Sequence, residues 1–328
     1  MNIAIRVPDE LELKVSIFPF LHALDRSLDE LIDESEVLNI HLISSAESLR
    51  ALNFLPMKAY YQTIPKDDLN NIFAAHRNLG SLKHTKVDLY ISMTENFVDV
   101  MIGRNLKAKK RVGFAKGKNS FFLTDKVEIK ETGHFTDRYI GFLAKIGVGK
   151  PKIRRVSSRT FDPYFKDTKE NPYIVLNIEV IEDELNTHWL DLISHFEDQR
   201  FIIMSDALDK NDQKLKLTEF ANKNKSKNTI EVFETEDLID FGKLVQNSEV
   251  FISGDSPYVA LAGYCGTQVF NLNRQKNDDM DNRYFIGDTV VCSIHDAYYK
   301  DGLDFHYGKF FDEVLEYVDI KIKKRESK

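Results

Sequence analysis

Two short segments concentrate side chains able to do chemistry. Asp9, Glu10 and Glu12 follow an apolar stretch at the start of the chain. A carboxylate at the end of a strand can take a proton from a bound hydroxyl, although three acidic residues in one loop can equally be solvated. Farther on, Val250-Phe251-Ile252-Ser253 runs directly into Gly254-Asp255-Ser256-Pro257-Tyr258 and an apolar stretch of helical spacing. A strand followed at once by a helix start presents backbone N–H groups and a positive terminus, which suits a phosphate-bearing ligand. Asp255 could accept a hydrogen bond from a hydroxyl, and Ser256 could donate to phosphate or simply cap the helix. Between them in the chain, Arg104, Lys107, Lys109, Lys110, Arg111, Lys116 and Lys118 form a basic run. Such a run fits an acidic, phosphorylated partner, and a solvated basic face is the commoner alternative.

These residues sit in an alternation of strand-like and helix-like segments, the pattern of parallel sheets covered by helices. Asn2–Val7 reads as a buried strand, Pro8–Glu12 as a loop, and Phe18, Leu21, Leu24, Leu28, Leu31 and Ile32 as one helix ending near Glu34. Strands are expected at Val37–Ser44, Lys58–Thr63, Val87–Ser92 and Arg111–Phe114, with helices at Ala46–Phe54, at Asp67–Asn78 and through Arg104. A charged stretch from Lys150 to Pro172, carrying Pro151, Pro163 and Pro172, marks a domain boundary. A second series follows: strands Tyr173–Asn177, Phe201–Ser205, Ile230–Phe233, Val250–Ser253 and Gln268–Leu272. They alternate with helices Asp183–Phe196, Asp209–Asn224, Glu236–Gln246 and Pro257–Cys265. The reading is an α/β chain of two Rossmann-like, doubly wound domains, 1–160 and 161–328. A last helix from Phe310 to about Ile322 is free to pack on either. Open sheets of this kind bind ligands at the carboxyl ends of their strands.

At 328 residues the chain has the length of two domains, and 42% hydrophobic against 30% charged residues lets both bury cores. The net charge of -7 argues against a protein that binds nucleic acid over its surface. The charge is uneven. Residues 1–163 carry 25 basic and 20 acidic side chains, residues 164–328 carry 20 and 32. Cys265 and Cys292 are the only cysteines, too few for a disulfide framework or a thiolate metal cluster, and they favour a reducing compartment. With Arg6, Asp9, Glu10 and Glu12 where a signal peptide needs an apolar core, the expectation is a cytoplasmic protein.

In order along the chain, several segments resemble the lipopolysaccharide heptosyltransferases, the ADP-heptose-using glycosyltransferases of family 9 and GT-B fold. Phe18-Pro19-Phe20-Leu21 with Ala23-Leu24 is similar to the family's helix after its first strand. Asp88-Leu89-Tyr90-Ile91 with Lys110-Arg111-Val112-Gly113-Phe114 resembles a later strand, helix and strand. His134-Phe135-Thr136-Asp137-Arg138-Tyr139, leading to Leu143 and Ile146-Gly147-Val148, resembles a further helix of the family. The fullest match runs from Asp237-Leu238-Ile239 through Gly254-Asp255-Ser256-Pro257-Tyr258-Val259-Ala260 to Gly266-Thr267-Gln268-Val269.

The resemblance implies an inverting glycosyltransferase of heptosyltransferase type. It would take a sugar from a nucleoside-diphosphate donor such as ADP-heptose, without metal or cofactor, and pass it to a lipopolysaccharide-core or related acidic glycan or glycolipid. The donor would lie on the second domain against Asp255, Ser256, Tyr258, Thr187 and His188. The acceptor would lie on the first, with Lys109, Lys110 and Arg111, and the protein would touch an inner-membrane surface transiently. The chain also departs from the family. Where the family has a Gly-Asp pair whose Asp is the base, Glu12 and Leu13 fall, so Glu12, Glu10 or Asp9 would supply the carboxylate. Thr187 stands where the family's diphosphate-binding Lys sits. Pro257 and Ala260 replace a Gly and a His, and proline removes an N–H. The alternative is a catalytically silent GT-B descendant that binds glycan or nucleotide. A nucleotide-sugar epimerase has less support, since no segment resembles that enzyme's acid and base. Arg138 should pair with a carboxylate. Phe121-Phe122 and Tyr298-Tyr299 read as packing or sugar-platform residues, and Cys265 as core filler.

Overall fold

A computed structural model describes residues 1–27, 37–46, 48–129, 135–149, 156–168, 171–178, 183–195, 199–204, 218–222, 229–233, 237–254, 256–271, 290–292, 299–300, 304–305, 312 and 314–320. The chain divides into two compact units, Met1–Arg159 and Thr160–Lys328. The division falls between two backbone anchors. Arg159 N–H donates to the Phe54 carbonyl at 2.9 Å in the first unit, and Phe161 N–H to Gln246 Oε1 at 2.7 Å in the second.

The first unit is built on a six-stranded sheet, β1 (Asn2–Arg6), β2 (Asn39–Ser45), β3 (Tyr60–Ile64), β4 (Leu89–Ser92), β5 (Lys110–Phe114) and β6 (Asp125–Val127), ordered β3-β2-β1-β4-β5-β6. All its pairings are parallel. This is a doubly wound order, whose direction reverses between β1 and β4 and leaves a crevice at their carboxyl ends. β1 is covered on both faces, which explains its nearly unbroken apolar run, Ile3, Ala4 and Ile5 being fully buried.

Two local readings change. The segment after β1 is not loop as far as Glu12, because Lys14 N–H donates to the Glu10 carbonyl and opens helix α1 (Leu11–Ser16). α2 (Phe18–Arg26) follows almost at once and ends at Arg26, while Leu28, Leu31 and Ile32 lie outside the described residues. Pro19 sits in the first turn of α2, where its missing N–H costs nothing. Phe142, on the helix Phe135–Ile146, packs edge-on against Phe20 at 6.3 Å and Phe114 at 4.9 Å.

The second unit repeats the plan with β7 (Tyr173–Asn177), β8 (Arg200–Met204), β9 (Thr229–Val232), β10 (Val250–Ser253), β11 (Val269–Asn271) and β12 (Val290–Cys292), ordered β12-β11-β10-β7-β8-β9. The short pair β13 (Tyr299–Lys300) and β14 (Asp304–Phe305) is antiparallel. One core joins Ile174, Leu176, Trp189, Phe201, Ile203, Val250 and Ile252 to Val314 and Val318, and Tyr317 lies 5.1 Å from Phe270. The helical residues 314–320 thus pack in this unit. Cys265 is buried and forms no disulfide among the described residues.

Candidate functional site at the carboxyl edges of the two sheets

In the first unit the crevice is organised by a charged residue inside a strand. Arg6 ends β1, in register with Ile43 of β2 and Ser92 of β4, and is 2% exposed. Its Nε donates to Asp99 Oδ1 at 2.9 Å, one Nη to Asp9 Oδ2 at 2.5 Å and the other to the Val7 carbonyl. Asp99, on the helix Phe97–Asn105, also accepts from Thr94 Oγ1 at 2.6 Å, while its carbonyl accepts from Tyr90 OH. Burial raises Asp99, with Arg6 and Thr94 pulling against it.

The three expected carboxylates separate. Asp9 accepts from Arg6, from Ser45 N–H at 2.8 Å and from Ser48 Oγ at 3.0 Å. Burial alone would raise it, but Arg6 and Ser45 outweigh burial and hold its carboxyl at about 2. So low a proton affinity makes it a poor general base near neutral pH, and Asp9 instead ties the β1 loop to β2. Glu10 is exposed at the N-cap position of α1, and Glu12 is half-buried in its first turn.

The least expected member is Lys14. It faces inward from α1, wholly buried, with Nζ 2.9 Å from Ser44 Oγ and 2.7 Å from the Ser48 carbonyl. Ser48 Oγ is 2.7 Å from both Ser44 Oγ and Ser45 Oγ. Burial lowers Lys14 to about 7, Asp9 and Glu10 opposing and Arg6 adding to the shift. The sequence signal for this cluster was charge where burial was expected: Arg6 within an apolar strand, and Lys14 just before a buried helix.

The basic run is split by the sheet. Lys109, Lys110 and Arg111 lie at the amino end of β5, the opposite edge from Arg6 and Ser92. A five-residue strand puts about 13 Å between its two ends. They have local partners there. Lys109 Nζ donates to Asp88 Oδ1 at 2.7 Å, Lys110 Nζ to the Lys145 carbonyl at 2.5 Å, and Arg111 to the carbonyls of Phe122 and Ala108 at 2.8 and 2.7 Å. The structure therefore does not bring these three together with Asp9, Glu10 and Glu12, because residue order along a parallel strand decides which edge a side chain serves. Lys116 lies on the carboxyl side and pairs with Glu95, as does Arg138. Phe122 packs on Phe97 and under Arg104, whereas Phe121 is 84% exposed.

In the second unit the equivalent edge is a row of buried polar residues. Asn177, Ser253 and Asn271 end β7, β10 and β11 side by side in register. Asn177 Nδ2 donates to Ser253 Oγ at 2.9 Å, and Asn177 Oδ1 has no hydrogen-bond partner among the described residues. Ser256 is buried. Its Oγ accepts from Tyr258 N–H at 3.2 Å and its carbonyl from Val259 N–H, closing the turn that leads through Pro257 into the helix Tyr258–Tyr264. Tyr258 is half-buried with its ring 4.8 Å from Phe241. Thr187 and His188 fall in the helix Asp183–His195, and Asp255 and Tyr298 lie outside the described residues.

No protein-family model and no curated protein matches the chain. Solved structures do. A glycosyltransferase family 9 protein from Veillonella parvula superposes with a TM-score of 0.73 at 14% identity, covering 96% of both chains. The E. coli heptosyltransferase WaaC, solved with ADP, gives 0.71 at 13% identity over 99% of this chain and 100% of its own. A UDP-GlcNAc 2-epimerase from Neisseria meningitidis bound to UDP-GlcNAc gives 0.54 at 12% identity, covering 99% of this chain and 94% of its own. Among the described residues, no helix is long and apolar enough to cross a membrane. Two doubly wound units in succession, matched along nearly the whole chain by a glycosyltransferase family 9 structure and by a heptosyltransferase, give this protein the GT-B fold.

Proposed function

We propose that the chain is an inverting glycosyltransferase of the heptosyltransferase type, which moves a sugar from a nucleoside-diphosphate donor to an acidic glycan or glycolipid. The observation that carries this reading is the whole-chain likeness, at TM-scores of 0.70 to 0.73, to family 9 structures, one of them solved with ADP. The donor is assigned to the unit 160–328, at the edge formed by Asn177, Ser253, Asn271 and the Ser256–Tyr258 turn, with Asp255, Thr187 and His188 as further contacts. Support comes from the buried Asn177 Oδ1, which has no hydrogen-bond partner among the described residues, since a ligand hydroxyl would supply a donor there. The acceptor is assigned to the unit 1–159 at the carboxyl ends of β1, β2 and β4. Lys116 is on that side, whereas Lys109, Lys110 and Arg111 are not. In this reaction the acceptor oxygen attacks the anomeric carbon while the diphosphate leaves, and catalysis comes from positioning and from a base that takes the acceptor proton.

A thermal-shift series with ADP, UDP and GDP tests the proposal, because a ligand bound only by the native state raises its melting temperature. At one hundred times its dissociation constant, a bound nucleotide adds about 2.7 kcal/mol. A shift with one nucleotide in preference to the other two is expected. No shift with any of the three would overturn the donor assignment.

A further inference from the structure

The geometry points to Lys14, acting through Ser44 and Ser48, as the group that holds the proton released by the acceptor hydroxyl. The inference rests on the transferase reading above and names the destination of its proton, in place of Glu10 or Glu12. Lys14 Nζ meets Ser44 Oγ at 2.9 Å, and Ser44 Oγ meets Ser48 Oγ at 2.7 Å. Ser48 is half-buried, so the path runs from the carboxyl edge of β2, beside Asp9, to a wholly buried amine. Each serine hydroxyl both donates and accepts, so the chain can reverse its polarity.

A buried ammonium is unfavourable, and an apolar side chain would fill the inner face of α1 without that cost. The charged groups that act on Lys14 are Asp9 and Glu10, which favour the ammonium, and Arg6, which opposes it. With burial prevailing and Lys14 brought to about 7, amine and ammonium are both populated near neutral pH, the condition under which a base is most effective.

The step balances. The acceptor oxygen forms its bond to the anomeric carbon as the bond from that carbon to the diphosphate oxygen breaks, the electron pair leaving on the diphosphate. The acceptor proton passes to Ser48 Oγ as Ser48 turns its own hydroxyl proton from Asp9 Oδ1 to Ser44 Oγ, and the Ser44 proton passes to Lys14 Nζ. Before the step the neutral amine keeps an N–H for the Ser48 carbonyl and turns its lone pair to Ser44. Afterwards Lys14 returns the proton to solvent by the same path. Lys14 does not touch the substrate, so it is a positioning residue for the proton.

The test is hydrolysis of ADP-glucose, UDP-glucose and GDP-mannose by the full chain, with water as acceptor and nucleoside-diphosphate release followed against pH. In the wild type the rate should rise with pH through about 7. Lys14→Arg, which keeps the charge but cannot take a proton, should lower the rate by at least about 100-fold and remove that rise. The thermal shift with nucleoside diphosphate should be unchanged. Ser44→Ala, which breaks the path while keeping the amine in place, should do the same. A folded Lys14→Arg or Lys14→Met variant that keeps the wild-type rate and pH profile overturns the assignment while leaving the transferase reading intact. A wild type that cleaves none of the three sugars overturns the reading and this assignment together.

Discussion

Replacing Arg6 by Met tests whether a buried charge organises the first unit. Arg6 and the Asp99 side chain are each 2% exposed and 2.9 Å apart, while the Asp9 side chain is 28% exposed. Without the guanidinium, Asp9 regains water, but Asp99 stays buried with Thr94 Oγ1 as its remaining side-chain donor among the described residues. Breaking a buried pair from one side costs about 3–5 kcal/mol. That is a large part of the roughly 5–15 kcal/mol that holds a domain together. At a urea dependence of about 2 kcal/mol per molar, the midpoint should fall by about 1.5–2.5 M. The single tryptophan, Trp189, is buried in the second unit, so its fluorescence reports that unit while far-UV circular dichroism reports both. The expected result is an early dichroism transition with the Trp189 transition in place. Arg6→Met with Asp99→Leu should recover at least about 2 kcal/mol of the loss, since no charge is then left buried and unpaired. A loss under about 1 kcal/mol for Arg6→Met, or a double variant no more stable than the single one, would refute the reasoning.

Two further perturbations probe the same region. Gly103→Ala puts a methyl group against the Tyr90 ring, within 2.7 Å of Cε1 and Cγ, and Tyr90 is buried with its hydroxyl fixed on the Asp99 carbonyl. Overpacking of about 1–3 kcal/mol should exceed the gain of roughly 0.5–1 kcal/mol in helix propensity, so a lower melting temperature is expected and an unchanged or higher one would contradict the packing. Asp9, held at about 2 against an ordinary 3.8, contributes stability that is present above pH 4 and is lost as the pH falls towards 2. Asp9→Asn should therefore cost about 2 kcal/mol at pH 7 and little at pH 2, read as the difference in urea midpoint from the wild type at each pH. A penalty that does not shrink on acidification would show that Asp9 carries no such linkage.

The fold was legible because it is written in local pattern. Strands buried on both faces read as short apolar runs, as at Asn2–Arg6 and Val250–Ser253, and amphipathic helices such as Leu238–Gln246 show their spacing. Boundaries were less legible. The start of helix α1 lay in what read as a loop because the helix, Leu11–Ser16, is only six residues long, too short to show a helical repeat.

The site divides along the same line. That carboxylates follow β1, and that a Ser-Pro turn and a helix follow β10, depends on neighbours in the chain and was readable there. That Asp9 is bound to Arg6, that Lys14 is buried against Ser44 and Ser48, and that Lys109, Lys110 and Arg111 face the other edge of their sheet could not be read in the same way. Sequence by itself determined the alternation, the two units and the candidate chemistry, since period and composition are local properties. Tertiary structure alone decided which charges are buried and which carboxylates are tied to a neighbour. Apart from the Arg6–Asp9 pair, charge burial and ion pairing here depend on partners 30 to 93 residues away, such as Ser44 for Lys14, Ser45 for Asp9 and Asp99 for Arg6, which come within reach only when the parallel sheet closes around β1.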